Sequence, residues 1–171
     1  MDTNKFEKLI IHLLQGYAKK MKTDKVTHDS KWTKQLQIAL GELGRRLKYD
    51  VCTSGHKDKG FEAEWLYDMV WYKESGSGDN ARLIEVPFVM ESEWSPHLKD
   101  IKYDFEKLLV ANARFRLMVC YYDPKKIDEL RSYFADAIKR YTQNRKDDRY
   151  LVAILKKGIN EFQFDLFVKE T

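Results

Sequence analysis

Proline and cysteine are scarce in this 171-residue chain, at three and two, and glycine numbers only eight. So little proline and glycine excludes collagen-like and low-complexity scaffolds. Two cysteines are too few for a disulfide framework or a zinc knuckle. Cys52 and Cys120 each sit inside an apolar, strand-like run, which reads as buried free thiols. No apolar run reaches the roughly 18 residues needed to cross a bilayer. The segment from Met1 to Lys8 is polar and lacks the apolar stretch and cleavage site of a signal peptide. A cytoplasmic protein with no membrane partner is the expectation. Charge of one sign is also lacking: 31 basic against 27 acidic residues leave a net +4, which permits a polyanionic partner without demanding one. What is present is 43% hydrophobic, 13% aromatic and 34% charged residues. That is the composition of one globular domain spanning 1–171, with about the first 30 residues as a helical extension.

Apolar residues at Phe6, Leu9, Ile10, Leu13, Leu14, Tyr17 and Met21 mark one face of a first helix. After a polar break over Lys22 to Ser30, the period resumes at Trp32, Leu36, Ala39, Leu40, Leu43 and Leu47 in a second helix. Tyr49 to Ser54 is a short β-prone run, followed by the charged loop His56 to Gly60. Glu64 to Lys73 and Arg82 to Trp94 flank a Gly/Ser/Asp/Asn run and predict a long antiparallel hairpin. Ser95 and Pro96 supply a cap and first turn for a helix through Leu98, Ile101, Phe105, Leu108 and Leu109. Phe115 to Tyr122 reads as a buried strand. Asp123 and Pro124 open a further helix, and Tyr150 to Lys157 with Glu161 to Val168 form a closing hairpin around Gly158. The order ααβββαβαββ predicts an α/β fold, a three-layer α/β/α sandwich around one central mixed sheet.

Within the central hairpin three carboxylates stand among apolar strand residues: Asp68 in LYDMVW, and Glu91 and Glu93 in FVMESEW. An ionised group there costs several kcal/mol unless something compensates it. A simple hairpin centred between Asp79 and Asn80 sets Asp68 opposite Glu91, and the period of two puts Glu91 and Glu93 on one face. No basic residue lies between Leu83 and Trp94. Like charges so close raise one another's pKa, whereas a hard divalent cation takes oxygen ligands and removes the repulsion. The plainer alternative is that these carboxylates form the polar side of a half-exposed hairpin, or pair with Lys or Arg from a neighbouring helix.

A helix, three meandering strands, a helix and a further strand, with Asp on the second strand and Glu-x-Glu ending the third, resembles the PD-(D/E)XK nuclease superfamily. The likeness to this restriction-endonuclease-like fold spans about Trp32 to Tyr122. Tyr67-Asp68 with Trp71, then Glu91-Ser92-Glu93-Trp94, then the DFEKL run from Asp104 to Leu108, is similar to small uncharacterised bacterial members. The resemblance implies that Asp68 bridges the metal, Mg²⁺ or Mn²⁺, and that Glu91 is the second acidic ligand. Glu93 occupies the position where the superfamily usually has a water-activating lysine, although some restriction enzymes of this fold carry Glu-x-Glu and remain active.

A migrated lysine could replace the missing one. By helical geometry Lys102 flanks the Leu98/Ile101/Phe105 stripe while Lys107 points away, so the catalytic set reads Asp68, Glu91, Glu93 and Lys102, the plainer alternative for both lysines being a solvated surface position. Glu42 is off the apolar stripe of its helix and reads as an exposed glutamate. Phosphate contacts could come from Lys57, Lys59, Lys99, Lys102, Arg114 or Arg116, and His97 could assist the site or cap a helix. The resemblance implies metal-assisted hydrolysis of a phosphodiester in nucleic acid, DNA ahead of RNA, with Glu93 orienting the water and a homodimer among the oligomeric options. The alternative function is a non-catalytic binding or assembly module that keeps the fold and uses Trp65, Trp71 and Trp94 as a contact surface.

Overall fold

The computed structural model describes residues 3–23, 29–54, 56–159 and 161–169. Helices α1 (Thr3–Thr23) and α2 (Asp29–Arg46) precede three strands, β1 (Asp50–Thr53), β2 (Met69–Ser75) and β3 (Arg82–Glu93). Then follow α3 (Leu98–Leu109), β4 (Phe115–Tyr122), α4 (Ile127–Arg140), β5 (Arg149–Lys156) and β6 (Phe162–Val168). The element order is the one the sequence predicts. The break expected over Lys22 to Ser30 falls largely outside the described residues.

The six strands lie side by side in chain order in one mixed sheet. β1, β2 and β3 form an antiparallel meander, β3, β4 and β5 are parallel, and β6 returns antiparallel to β5. Parallel neighbours require a crossover longer than a hairpin turn, and α3 and α4 supply the two that this sheet needs.

Side-chain alternation along each strand feeds two cores. Phe88 and Met90 of β3 pack with Trp71 of β2 beneath Phe6, Leu36 and Leu40 of α1 and α2. Val89 and Val70 point the other way, towards Ile101 and Phe105 of α3 and Phe134 of α4. The sheet is therefore covered on both faces. The α2 layer lies so close that a Cβ on Gly44 would stand 2.8 Å from the Trp71 indole, and one on Gly41 2.5 Å from the Phe61 ring. Both cysteines are buried and free, as their apolar surroundings predict.

Two boundaries differ from the sequence expectation. β2 starts at Met69 rather than Glu64. Before it, the Tyr67 amide bonds back to the Trp65 carbonyl at 2.8 Å, so the chain curls on itself instead of pairing with a neighbouring strand. Helix α3 takes His97, not Ser95, as its cap residue. The Ser95 hydroxyl accepts the His97 amide at 3.3 Å and donates to Asp100 at 2.7 Å, bracing the turn that leads into the helix.

Candidate functional site

The β2/β3 register pairs Met69 with Met90 and Val70 with Val89. Continued by one residue, it sets Asp68 opposite Glu91, the expected pairing, reached not through a simple hairpin but through two register shifts between Trp71 and Glu74. Alternation decides the face. Val70 and Val89 point to the α3 layer, so Asp68 and Glu91, two residues along each chain, point there too, at the end of β3 that leads into α3.

Asp68 is held by the strand it faces. Its Oδ2 accepts the Ser92 amide at 2.8 Å and the Ser92 hydroxyl at 2.7 Å. Its carbonyl accepts the Thr53 hydroxyl at 2.9 Å, which ties it to β1. Glu91 is only 1% exposed. Its Oε1 lies 2.6 Å from Nζ of Lys107, which also approaches Oδ1 of Asp104 at 3.7 Å. Pairing with a lysine from the neighbouring helix was the plainer alternative for these carboxylates, and Glu91 adopts it.

Electrostatics register the crowding. Burial pushes the Glu91 carboxyl up to about 8, and the charges of Asp68 and Asp104 push the same way while Lys107 opposes them. Burial likewise lifts Asp104 to about 6, with Glu93 and Asp68 adding to it. Burial works to lower Lys107, but the hydrogen bond and charge of Glu91 outweigh it and the ammonium is held charged. One lysine thus stands among three carboxylates. The site carries more negative charge than that lysine neutralises.

The other predicted residues fall as follows. Glu93 lies on the same face of β3 as Glu91, but its Oε1 accepts the Ser95 amide at 2.6 Å and braces the turn into α3. Lys102 does not meet the carboxylates among the contacts described: its Nζ stands 4.4 Å from the centre of the Tyr133 ring. The helical-wheel expectation for the two lysines is therefore reversed. A wheel scores the face turned to the core, whereas this site lies beside the helix, at a strand end. A four-carbon stem that leans towards the helix N-terminus spans the difference.

Asp104 was the residue the carboxylate reading missed. Its spacing of three from Lys107 was a signal that could have found it, because i, i+3 pairs are neighbours on a helix. Glu42 is exposed, as expected. His97 is the α3 cap residue without a side-chain capping bond.

Among the candidate phosphate contacts, Arg116 is instead buried, donating to the Ala111 carbonyl at 2.7 Å and pairing with Asp148 at 3.1 Å. Arg114 pairs with Glu85 at 3.6 Å. Lys59 and Lys99 are exposed, and the Lys57 side chain lies outside the described residues. Of the three tryptophans offered as a contact surface, Trp71 is wholly buried and Trp94 packs partly buried against the α1/α2 core, which leaves Trp65.

No family model, no curated protein and no solved structure matches this chain. Among the described residues, no group of three or more His, Cys, Asp and Glu side chains is disposed to hold a metal ion. No helix among them is long and apolar enough to cross a membrane.

Proposed function

We propose that this chain is a nuclease-like phosphodiesterase of the PD-(D/E)XK type on a restriction-endonuclease-like core. Asp68 and Glu91 hold a divalent cation, Mg²⁺ or Mn²⁺, and Lys107 takes the place of the strand lysine that Glu93 displaces. The observation that carries this reading is the β2/β3 register, which continued by one residue sets Asp68 opposite Glu91 on one strand face. The β1–β2–β3 meander, α3 and parallel β4 support it as the order on which the resemblance rests.

The donor set suits a hard cation. Two carboxylates face one another across the hairpin, and one of them is buried and pushed up to about 8 by burial and by its acidic neighbours. A bound cation supplies the charge that relieves this repulsion and polarises a phosphoryl oxygen. The chain does the rest. Ser92 fixes the Asp68 carboxylate through two hydrogen bonds. Helix α3 holds the Lys107 ammonium where it can orient a water and stabilise charge developing on a phosphoryl group. The Glu93 carboxylate keeps the β3–α3 turn in place, so the water-orienting role passes from it to Lys107. Nucleic acid, DNA ahead of RNA, is the substrate.

One observation favours a second reading. Lys107 already pairs with Glu91, and a lysine in that position can stand permanently in place of a cation, as in a binding or assembly module that has kept the fold without the chemistry. Calorimetric titration with Mg²⁺ and Mn²⁺ separates the two, followed by cleavage assays on single- and double-stranded DNA and RNA. The nuclease reading expects binding by wild type and its loss in Asp68→Ala and Glu91→Ala. It expects Lys107→Met to keep metal binding while cleavage falls about 10²- to 10⁴-fold. Absence of metal binding by wild type at millimolar cation refutes the site. Metal binding without cleavage of any substrate favours the module.

A further inference from the structure

Among the described residues, three other than glycine have positive φ: Lys48 at 68°, Asp147 at 68° and Leu66 at 66°. Two have ordinary reasons. Lys48 follows α2, and the Tyr49 amide bonds back to the Gly44 carbonyl at 3.1 Å, the closure of a left-handed helix cap. Asp147 sits in a polar turn, and aspartate tolerates this conformation. Leu66 has neither excuse. It is the centre of a γ-turn closed by the Tyr67 amide on the Trp65 carbonyl at 2.8 Å, a rare and strained form when the central φ is positive.

The side chains there are out of place as well. Leu66 is 67% exposed and Trp65 42% exposed, where folding alone would favour glycine or asparagine at the apex and polar residues beside it. Backbone strain, residue choice and solvation all run against the fold at one point, the pattern expected where function rather than stability selects the residue. The chain on either side is firmly held. Phe61 is buried and the Glu62 amide and carbonyl bond to β1. Beyond the turn, Tyr67 packs against the α3/α4 core and Asp68 is fixed by Ser92. The turn is an apolar prow anchored on both sides. Two residues separate Trp65 from Asp68, three steps of chain that span at most about 11 Å, so the prow lies within one or two nucleotides of the carboxylates.

We infer that Trp65 and Leu66 form a base-contacting wedge that selects unpaired nucleic acid for the Asp68/Glu91 site, Trp65 stacking on a base and Leu66 filling the step beside it. The inference rests on the nuclease reading for the nature of the polymer. Charge on the loop decides which part of the polymer it meets: Glu62 and Glu64 are exposed beside the prow and repel phosphates, so what remains to offer is an aromatic and an aliphatic face. Bases present such faces freely only in single strands, loops and frayed ends.

The test is a binding titration in EDTA, where cleavage plays no part. Intrinsic fluorescence and anisotropy are followed with a short oligothymidylate, with a duplex of equal length, and with inorganic polyphosphate, which has charge but no bases. The single strand should quench tryptophan emission, the duplex bind more weakly, and polyphosphate leave emission unchanged. Trp65→Ala should weaken single-strand binding about 5- to 150-fold and remove the quench, while Trp65→Phe retains most of the affinity. Leu66→Gly relaxes the backbone, so it should weaken binding while leaving the melting temperature equal or higher, a combination that damage to the fold cannot produce.

No single-strand binding by wild type, equal affinity in Trp65→Ala, or equal affinity for duplex and single strand overturns the inference. So does a change in sedimenting mass in Trp65→Ala, which would make the prow a contact between copies of this chain. Failure here is distinct from failure of the nuclease reading. Cleavage that survives Trp65→Ala with unchanged single-strand affinity overturns the wedge alone, and Trp65-dependent binding without metal-dependent cleavage overturns the nuclease alone.

Discussion

Replacing Lys107 with methionine keeps the aliphatic stem and removes the charge, and the arrangement around Glu91 fixes how the cost should vary with pH. The Glu91 carboxyl titrates at about 8 in the folded chain against an ordinary value of 4.5. The folded state therefore binds the extra proton. The stability this group contributes is fully present below about pH 4.5 and is lost as pH rises through 8. At ~1.4 kcal/mol for each unit of pKa difference, the loss amounts to about 5 kcal/mol across that window.

Lys107 is the group that opposes the upward shift, so removing it moves the folded-state titration higher still. Below pH 7 Glu91 is protonated in both proteins, and losing the lysine charge costs almost nothing through this route. At pH 8 half the wild-type molecules have ionised Glu91 beside Lys107, and the variant loses about half a kcal/mol. At pH 9 the loss grows to about 1–2 kcal/mol, because the variant must keep its carboxyl neutral against the solution. Urea unfolding at pH 6, 7, 8 and 9 measures this directly. Lys107→Met should show a destabilisation that climbs with pH, and in a Glu91→Gln background the climb between pH 8 and 9 should vanish, leaving only the part that Asp104 contributes near pH 6–7. A cost that is flat over pH 6–9, or largest at pH 6, refutes the assignment of Glu91 as the titrating partner.

Substitutions at four further sites test the packing and the polar contacts. Gly16→Ala, where an added Cβ meets nothing within 4 Å, should stabilise the protein by about 0.5–1 kcal/mol in thermal unfolding, through helix propensity. Gly44→Ala should do the opposite despite the same gain, costing about 1–3 kcal/mol because its Cβ would stand 2.8 Å from the Trp71 indole, which is locked in the core. Glu7→Ala should cost about 1.5–3 kcal/mol in urea unfolding, because it removes the charged hydrogen bonding between Glu7 and the partly buried Arg149 across α1 and β5. Asp68→Ala should cost about 1.5–3 kcal/mol for the two Ser92 hydrogen bonds it removes. Asp68→Asn, which can still accept through its side-chain oxygen, should cost less.

The sheet was legible because its strands obey local rules. FRLMVCYY in β4 is apolar on both sides, and the structure buries both of its faces between helix layers. In the β2/β3 hairpin the turn run alone does not set the pairing: the Ser75–Arg82 register at the turn would place Asp68 opposite Val89, and two register shifts, between Trp71 and Lys73 and between Lys73 and Glu74, bring it opposite Glu91. The limits of β2 were less legible. Glu64 to Asp68 has strand composition, but the Tyr67 amide that would join a ladder is taken by the Trp65 carbonyl, a bond that no residue type announces.

The lysine was the hardest part to read, for a geometric reason that bears on how the site is assembled. Strand positions have two directions, so parity alone places Glu91 and Glu93 on the α3 face. A helix position has a direction only relative to what the helix lies against, and α3 lies against the sheet through Ile101, Phe105, Leu108 and Leu109. Lys107 is off that stripe, yet Glu91 stands near the end of β3, just before the chain turns through Trp94 to His97 and enters the helix. A long side chain from the last turn of α3 can lean back over that turn and reach the strand end that a core-facing residue would overshoot. Residues 91 and 107 then meet because one connection folds the chain back along itself. Its bracing by Glu93 to Ser95 and Ser95 to Asp100 keeps the lysine within 2.6 Å of the carboxylate. On this argument Glu93 serves the site through the turn it holds. Glu93→Gln, which keeps an oxygen for the Ser95 amide, should preserve the pH-dependent coupling between Lys107 and Glu91, and Glu93→Ala should weaken it. Repeating the urea series in each background decides the point, and equal coupling in both would refute it.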